Sequence, residues 1–178
     1  AWIAKEGGEP LLFPLLDIAP TDQPEPLRVA IAQLDDYALA VFISPNAVEY
    51  SVPAILSSRG WPANLQAVAI GQGSVALLAA YGIKNTLAPL ERFDSEALLE
   101  LPALQRPCVA GKRVVIFRGN GGRELLADSL RERGAEVDYV SCYQRSAPDS
   151  AAVLEALWRS EQLDALTVSS SEGLRNLV

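Results

Sequence analysis

Short runs of branched apolar residues recur along this chain, each followed by a turn and a stretch of helical spacing. That alternation is the pattern of a parallel β-sheet wound with helices. The clearest runs are residues 39–44 (LAVFIS), 67–70, 113–117 (RVVIF), 137–142 and 165–169. Runs this continuously apolar belong to strands covered on both faces, so helices must lie on both sides of the sheet. Asn46 can cap a helix running through Val48 and Ile55 to Ser58, with Pro53 as a candidate kink. Gly73-Ser74 opens a helix over 75–81 that Gly82 stops, Asp94 or Ser95 starts one over 96–101 that Pro102 ends, and Gly121-Gly122 precede one over 124–133 that Gly134 stops.

Two stretches break the rhythm. Residues 11–18 (LLFPLLDI) read as an early strand followed by a loop from Pro20 to Pro26, and residues 137–143 run on into a Ser/Ala/Pro segment near Ser150. Both read as connectors that pair as an extended ladder. On that reading residues 19–136 form one complete α/β lobe, while 1–18 and 137–178 form part of a first lobe plus the connecting ladder. The chain has 178 residues, which suits one domain or two small ones, and its lack of methionine suggests that it is part of a longer protein.

Charge narrows the function. Lys+Arg number 15 against Asp+Glu 22, a net charge of −7, which argues against a nucleic-acid partner. No stretch approaches the roughly 20 apolar residues of a membrane span. Two cysteines, Cys108 and Cys142, are too few for a disulfide framework and lack metal-ligand spacing, so a reducing, cytoplasmic setting is expected. Histidine is absent, which removes the commonest general base and metal ligand.

Ligands of doubly wound sheets bind at the carboxyl ends of the strands. The loops there contain Ser44 and Asn46; Gln72, Gly73 and Ser74; Arg118, Gly119, Asn120, Gly121, Gly122 and Arg123; and Ser169, Ser170 and Ser171. Each offers hydroxyls, amides or glycines just before a helix N-terminus, where free N–H groups attract anions. The two arginines of the glycine-rich loop offer forks for carboxylates, or are simply solvated in a tight turn. No Gly-Lys-Ser/Thr makes this loop a P-loop, and Glu124 occupies the last position of a G-x-G-x-x-G pattern. The serines read equally as caps, and without histidine none is a credible nucleophile. Tyr143 follows a strand and either packs or presents its phenol to a cleft, whereas Cys142 alternates to the opposite face as a small buried hydrophobe.

The order SPNAV, AIGQGSVALL, VVIFRGNGGRELLADSLRERGAEV, CYQR and TVSSSEGLRNL resembles the uroporphyrinogen-III synthase family from about Leu11 to Leu177. The resemblance implies two flavodoxin-like α/β lobes joined by a two-stranded ladder, and no metal or organic cofactor. It implies a hydro-lyase of tetrapyrrole synthesis acting on hydroxymethylbilane, a linear tetrapyrrole with acetate and propionate side chains, and a monomer. In such an enzyme Tyr143 matches the tyrosine that assists departure of the hydroxyl, and Ser74 matches a Thr or Ser facing the cleft. Ser44, Asn46, Gly119, Gly122 and Ser170 fall in the cleft loops. The family's opening strand and the closing strands and helix of its first lobe have no counterpart in these residues. The pyrrole nitrogens expel the hydroxyl themselves, so the protein acts chiefly as a mould, and Arg118 or Arg123 is expected to make the cleft locally positive. Two rivals share parts of the pattern. One is a two-lobed anion-binding module without chemistry. The other is a nucleotide-dependent enzyme, for which Asp138 is the nearest ribose-gripping candidate but sits at the start of its strand.

Overall fold

A computed structural model of the protein describes residues 2–121, 124–148, 151–168 and 170–177. One helical turn, α1 (Trp2–Lys5), precedes β1 (Asp17–Pro20). The chain continues through α2 (Glu25–Ala32), β2 (Tyr37–Phe42), α3 (Pro45–Ser58), β3 (Gln66–Ala69), α4 (Gln72–Ala80) and the short β4 (Thr86–Leu87). Then follow α5 (Ser95–Glu100), α6 (Arg106–Val109), β5 (Arg113–Gly119), α7 (Leu125–Glu132), β6 (Glu136–Ser146), α8 (Ala152–Arg159) and α9 (Ser171–Leu177). By compactness the chain divides into one unit of Ala19–Gln144 and another of Ala1–Ile18 with Arg145–Val178.

The six strands form one sheet in the order β1-β6-β5-β2-β3-β4. The β2–β3, β2–β5, β3–β4 and β5–β6 pairs are all parallel. Counted from β2, the sequence of strands across the unit is third-second-first-fourth-fifth, so winding reverses between β2 and β5. A flavodoxin-like sheet has the order 2-1-3-4-5, and this sheet differs from it.

Alternation along the strands builds two cores. Leu39, Val41, Val114 and Ile116 pack with Leu98 of α5 and Leu126 and Leu130 of α7. On the other face lie Phe42 and Phe117, register partners whose rings stack at 5.1 Å. Val48, Val52 and Ile55 of α3 are fully buried. Pro53 leaves α3 unbroken, because it lies on the exposed face, where the carbonyl it leaves unbonded can reach water.

The structure corrects several expectations. Residues 11–16 are not strand: Pro14 has no N–H to give a ladder, and β1 holds only Asp17–Pro20. Residues 165–168 carry no strand, and Ala165, Leu166 and Thr167 are exposed, so their apolar pattern finds no ladder to join. The loop assigned up to Pro26 already contains the start of α2, whose Pro26 sits in the first turn, where no N–H is needed. Ser44 rather than Asn46 caps α3: its extended backbone lets its Oγ accept from the Ala47 N–H at 3.0 Å, with Pro45 as the first helical residue.

Candidate active site

The reversal between β2 and β5 is where an open α/β sheet forms a ligand crevice at its carboxyl ends. Three of the expected loops meet there within one unit. Ser44 and Asn46 follow β2, Gln72, Gly73 and Ser74 follow β3, and Gly119 ends β5 with Asn120 and Gly121 just after it. Pro45 touches the second loop, since a Cβ built on Gly73 would stand 3.6 Å from its Cγ.

Tyr143 ties β2, β5 and β6 together. Its Oη lies 3.1 Å from Ser44 Oγ, its ring stacks on Tyr50 at 5.8 Å, and its carbonyl accepts from the Asn120 N–H at 3.1 Å. Its other neighbour is Gly119, where any Cβ would stand 2.6 Å from the ring. Gly119 is therefore glycine because the phenol lies directly against the backbone.

A β-bulge sets this arrangement. Arg118 pairs with Ser141 and Gly119 with Tyr143, so Cys142 is the unpaired extra residue. Strict alternation would send Cys142 and Tyr143 to opposite faces, the expectation from sequence. Both instead reach α3: the single S–H of Cys142 is shared between the Ala47 carbonyl at 3.6 Å and the Arg118 carbonyl at 3.3 Å, while Tyr143 reaches Ser44. Burial pushes the Cys142 thiol up to about 12, so it is an inert packing group.

Arg118 does not offer a free fork. It is buried, Nε donates to the Gly121 carbonyl at 3.1 Å and Nη2 to the same oxygen, and Nη1 pairs with Glu124 Oε1 at 3.0 Å. Its guanidinium also lies 4.4 Å over the Tyr139 ring. An arginine on the helix-covered face of a strand must be satisfied internally, and Arg118 spends its donors closing the loop around Gly121, whose φ of +68° suits glycine. Gly122, Arg123 and Ser169 lie outside the described residues.

Ser74 is 1% exposed, and Gly71 holds the cap position, so its hydroxyl does not cap α4. Its Oγ is a buried polar atom with no partner among the described residues. Gln72, Gly73, Asn120 and Gly121 are exposed, and Asn46 is half-buried. In the other unit, the exposed Ser170 accepts from the Gly173 N–H at 2.9 Å, and Ser171 begins α9. That unit also holds a cavity of about 420 Å³ lined by Phe13, Leu15, Leu154 and Trp158 and by none of the residues expected from sequence. Asp138 is an amino-end residue, paired with Arg113 at 2.8 Å, so it grips no ribose at the carboxyl end. Sequence reasoning missed Tyr50 and Phe93, whose ring lies 3.7 Å from a Cβ built on Gly71. The available signal was Tyr50 itself, an aromatic on the helix after a serine-rich turn.

Among the described residues no His/Cys/Asp/Glu group is placed to hold a metal, and no helix is long and apolar enough to cross a membrane. A doubly wound sheet with hydroxyls and amides around a switch-point phenol defines an α/β protein built to receive a small molecule. The model of uroporphyrinogen-III synthase HemD matches residues 1–178. The uroporphyrinogen-III synthase of Escherichia coli (strain K12) is 38% identical over 167 residues, covering 93% of this chain and 67% of that protein. That of Proteus mirabilis is 35% identical over 167 residues, covering 93% and 83%. A crystal structure of a triple mutant of uroporphyrinogen III synthase from the extremely thermophilic bacterium Thermus thermophilus superposes with a TM-score of 0.68 at 21% identity, covering 98% of this chain and 69% of that one. The chain belongs to the uroporphyrinogen-III synthase family.

Proposed function

We propose that the protein converts hydroxymethylbilane to uroporphyrinogen III, removing water and closing the macrocycle with inversion of the last pyrrole ring. The observation that carries this reading is the family match across residues 1–178. The composition is compatible with it: the chain has no histidine, and this reaction needs no histidine base, because the pyrrole nitrogens supply the electron pair that expels the hydroxyl.

Tyr143 gives a proton from Oη as the C–O bond breaks, so the hydroxyl leaves as water and an azafulvenium cation, its pyrrole N–H retained, remains beside the phenolate. The substituted carbon of the last ring attacks, forming a spiro intermediate that fragments and recloses. The proton lost at final closure restores the phenol. What the protein must add is a shape that brings the substituted carbon, not the free one, within reach. The Asn46 N–H in the first turn of α3 and the Gln72 and Gly73 N–H groups in that of α4, with the side-chain amides of Asn46, Gln72 and Asn120, receive the carboxylates of the side chains. Gly73, Ser74 and Gly121 complete that rim, while Ser170, Ser171, Gly122, Arg123 and Ser169 are proposed as substrate-binding residues from the sequence motifs alone. With Arg118 committed to Glu124, carboxylate recognition falls to neutral donors more than to its charge.

The two compact units correspond in this reading to the two α/β lobes of the family, working as a cytoplasmic monomer. The test is to supply hydroxymethylbilane, oxidise the products and separate the porphyrin isomers. Type III is expected to dominate. Only type I, at the spontaneous rate, overturns the assignment.

A further inference from the structure

A hydroxyl–hydroxyl contact does not say which oxygen donates, yet for Tyr143 the direction decides whether its proton is available. Ser44 Oγ already accepts from the Ala47 N–H at 3.0 Å, as the cap of the 14-residue helix α3. Tyr143 Oη stands 3.1 Å from the same oxygen. If Tyr143 donated, its proton would be held by Ser44 and the serine proton left over. If Ser44 donates, the phenol keeps a free proton, and the run Ala47 N–H to Ser44 O–H to Tyr143 Oη is head-to-tail, each bond strengthening the next. That run also ends on the positive pole of α3, so a phenolate left after proton transfer meets a donor and a favourable dipole.

We propose that Ser44 is a positioning residue that donates to Tyr143 Oη and thereby keeps the tyrosine proton free for the leaving hydroxyl. The inference rests on the reading of Tyr143 given above. The ring is held for this contact from both sides, by the Gly119 backbone and by Tyr50, and the bulge at Cys142 turns it toward α3. The same protein shows the opposite case at Tyr37, whose Oη donates to Asp138 Oδ2 at 2.7 Å, a carboxylate that can only accept.

That contrast supplies the experiment. Ser44→Asp keeps an oxygen to cap α3 but takes the tyrosine proton as its own hydrogen bond. Ser44→Thr keeps both the cap and the donated proton, and Ser44→Ala removes both. Expected kcat for type III formation is wild type close to Ser44→Thr, Ser44→Ala reduced about tenfold, and Ser44→Asp lowest although as heat-stable as wild type, with KM changed less than about threefold throughout. Tyrosine resonance Raman bands, assigned by subtracting the Tyr143→Phe spectrum, read the bond without turnover. They should report an accepting phenol in wild type and a donating one in Ser44→Asp. Wild-type kcat in Ser44→Asp, or a donating phenol in wild type, overturns the proposal. Absence of type III product from the wild type instead overturns the assigned reaction, and the Raman result still decides the direction of the bond.

Discussion

The strands β2, β5 and β6 carry a tyrosine hydroxyl network at each end, and the two differ in kind. At the amino end Tyr37 donates to Asp138, which also accepts from Arg113 Nη2 at 2.8 Å, while Arg113 reaches Gln33 and lies 4.5 Å over the Tyr37 ring. Burial first, then the bond to Asp138, pushes the Tyr37 phenol far above its usual range. Burial alone would raise the Asp138 carboxyl, but bonds from Tyr37 and Arg113 outweigh it and hold the group below the ordinary carboxylate range. That phenol cannot give up its proton. At the carboxyl end Tyr143 faces a hydroxyl, a group that carries a donor as well as an acceptor. A charged partner fixes a structure, whereas a neutral amphoteric one leaves a proton that chemistry can use.

The comparison can be broken most severely at Gly119. Gly119→Ala drives a methyl into the Tyr143 ring and should lower stability by about 2–3 kcal/mol, with type III formation falling at least about tenfold, measured by denaturant unfolding and isomer analysis. Next in effect on stability, Tyr37→Phe strips a charge-assisted bond from a buried ring and should lower stability by about 1.5 kcal/mol, with turnover of the folded protein unchanged. Tyr143→Phe should lower stability less, by about 1 kcal/mol, yet slow turnover strongly. If both tyrosine variants lost the same fraction of activity, the two ends would not be distinct.

A pH series sharpens the amino end. Because the folded Asp138 carboxyl lies below its unfolded value of about 3.9, its contribution is present above that pH and lost as pH falls through the folded value. Because the folded Tyr37 phenol lies above its unfolded value of about 10, its contribution is present below that pH and lost as pH rises. Asp138→Asn should therefore flatten the acid limb of the thermal midpoint below about pH 4, and an unchanged limb would remove Asp138 from the account. The smallest effect on stability belongs to Ser74. Its hydroxyl is buried without a partner among the described residues, so Ser74→Ala should change stability by no more than about 0.5 kcal/mol, in either direction. A drop in turnover with that variant would assign the hydroxyl to the substrate.

Much of the fold was legible from local pattern. The runs at 39–44, 67–70 and 113–117 became β2, β3 and β5, because a strand buried on both faces must be apolar throughout. The stops at Gly82 and Gly134 hold, with φ of +88° and +90°. The loops that meet at the reversal were legible as well, since a strand-end serine, amide or glycine before a helix is a local signal. Residues 11–16 and 165–168 misled, because an apolar run names a strand only where another strand is there to pair with it.

Residue order by itself determined a parallel, helix-covered sheet, loops rich in neutral donors at its carboxyl edge, and chemistry without histidine. Only the tertiary structure decided that Arg118 turns inward to Gly121 and Glu124, that Ser44 rather than Asn46 caps α3, and that Cys142 and Tyr143 share a face. The physical reason is that a bulge, a cap and the direction a buried arginine takes depend on what the neighbouring strand and helix present. Those partners lie as far as 99 positions away, as Ser44 does from Tyr143.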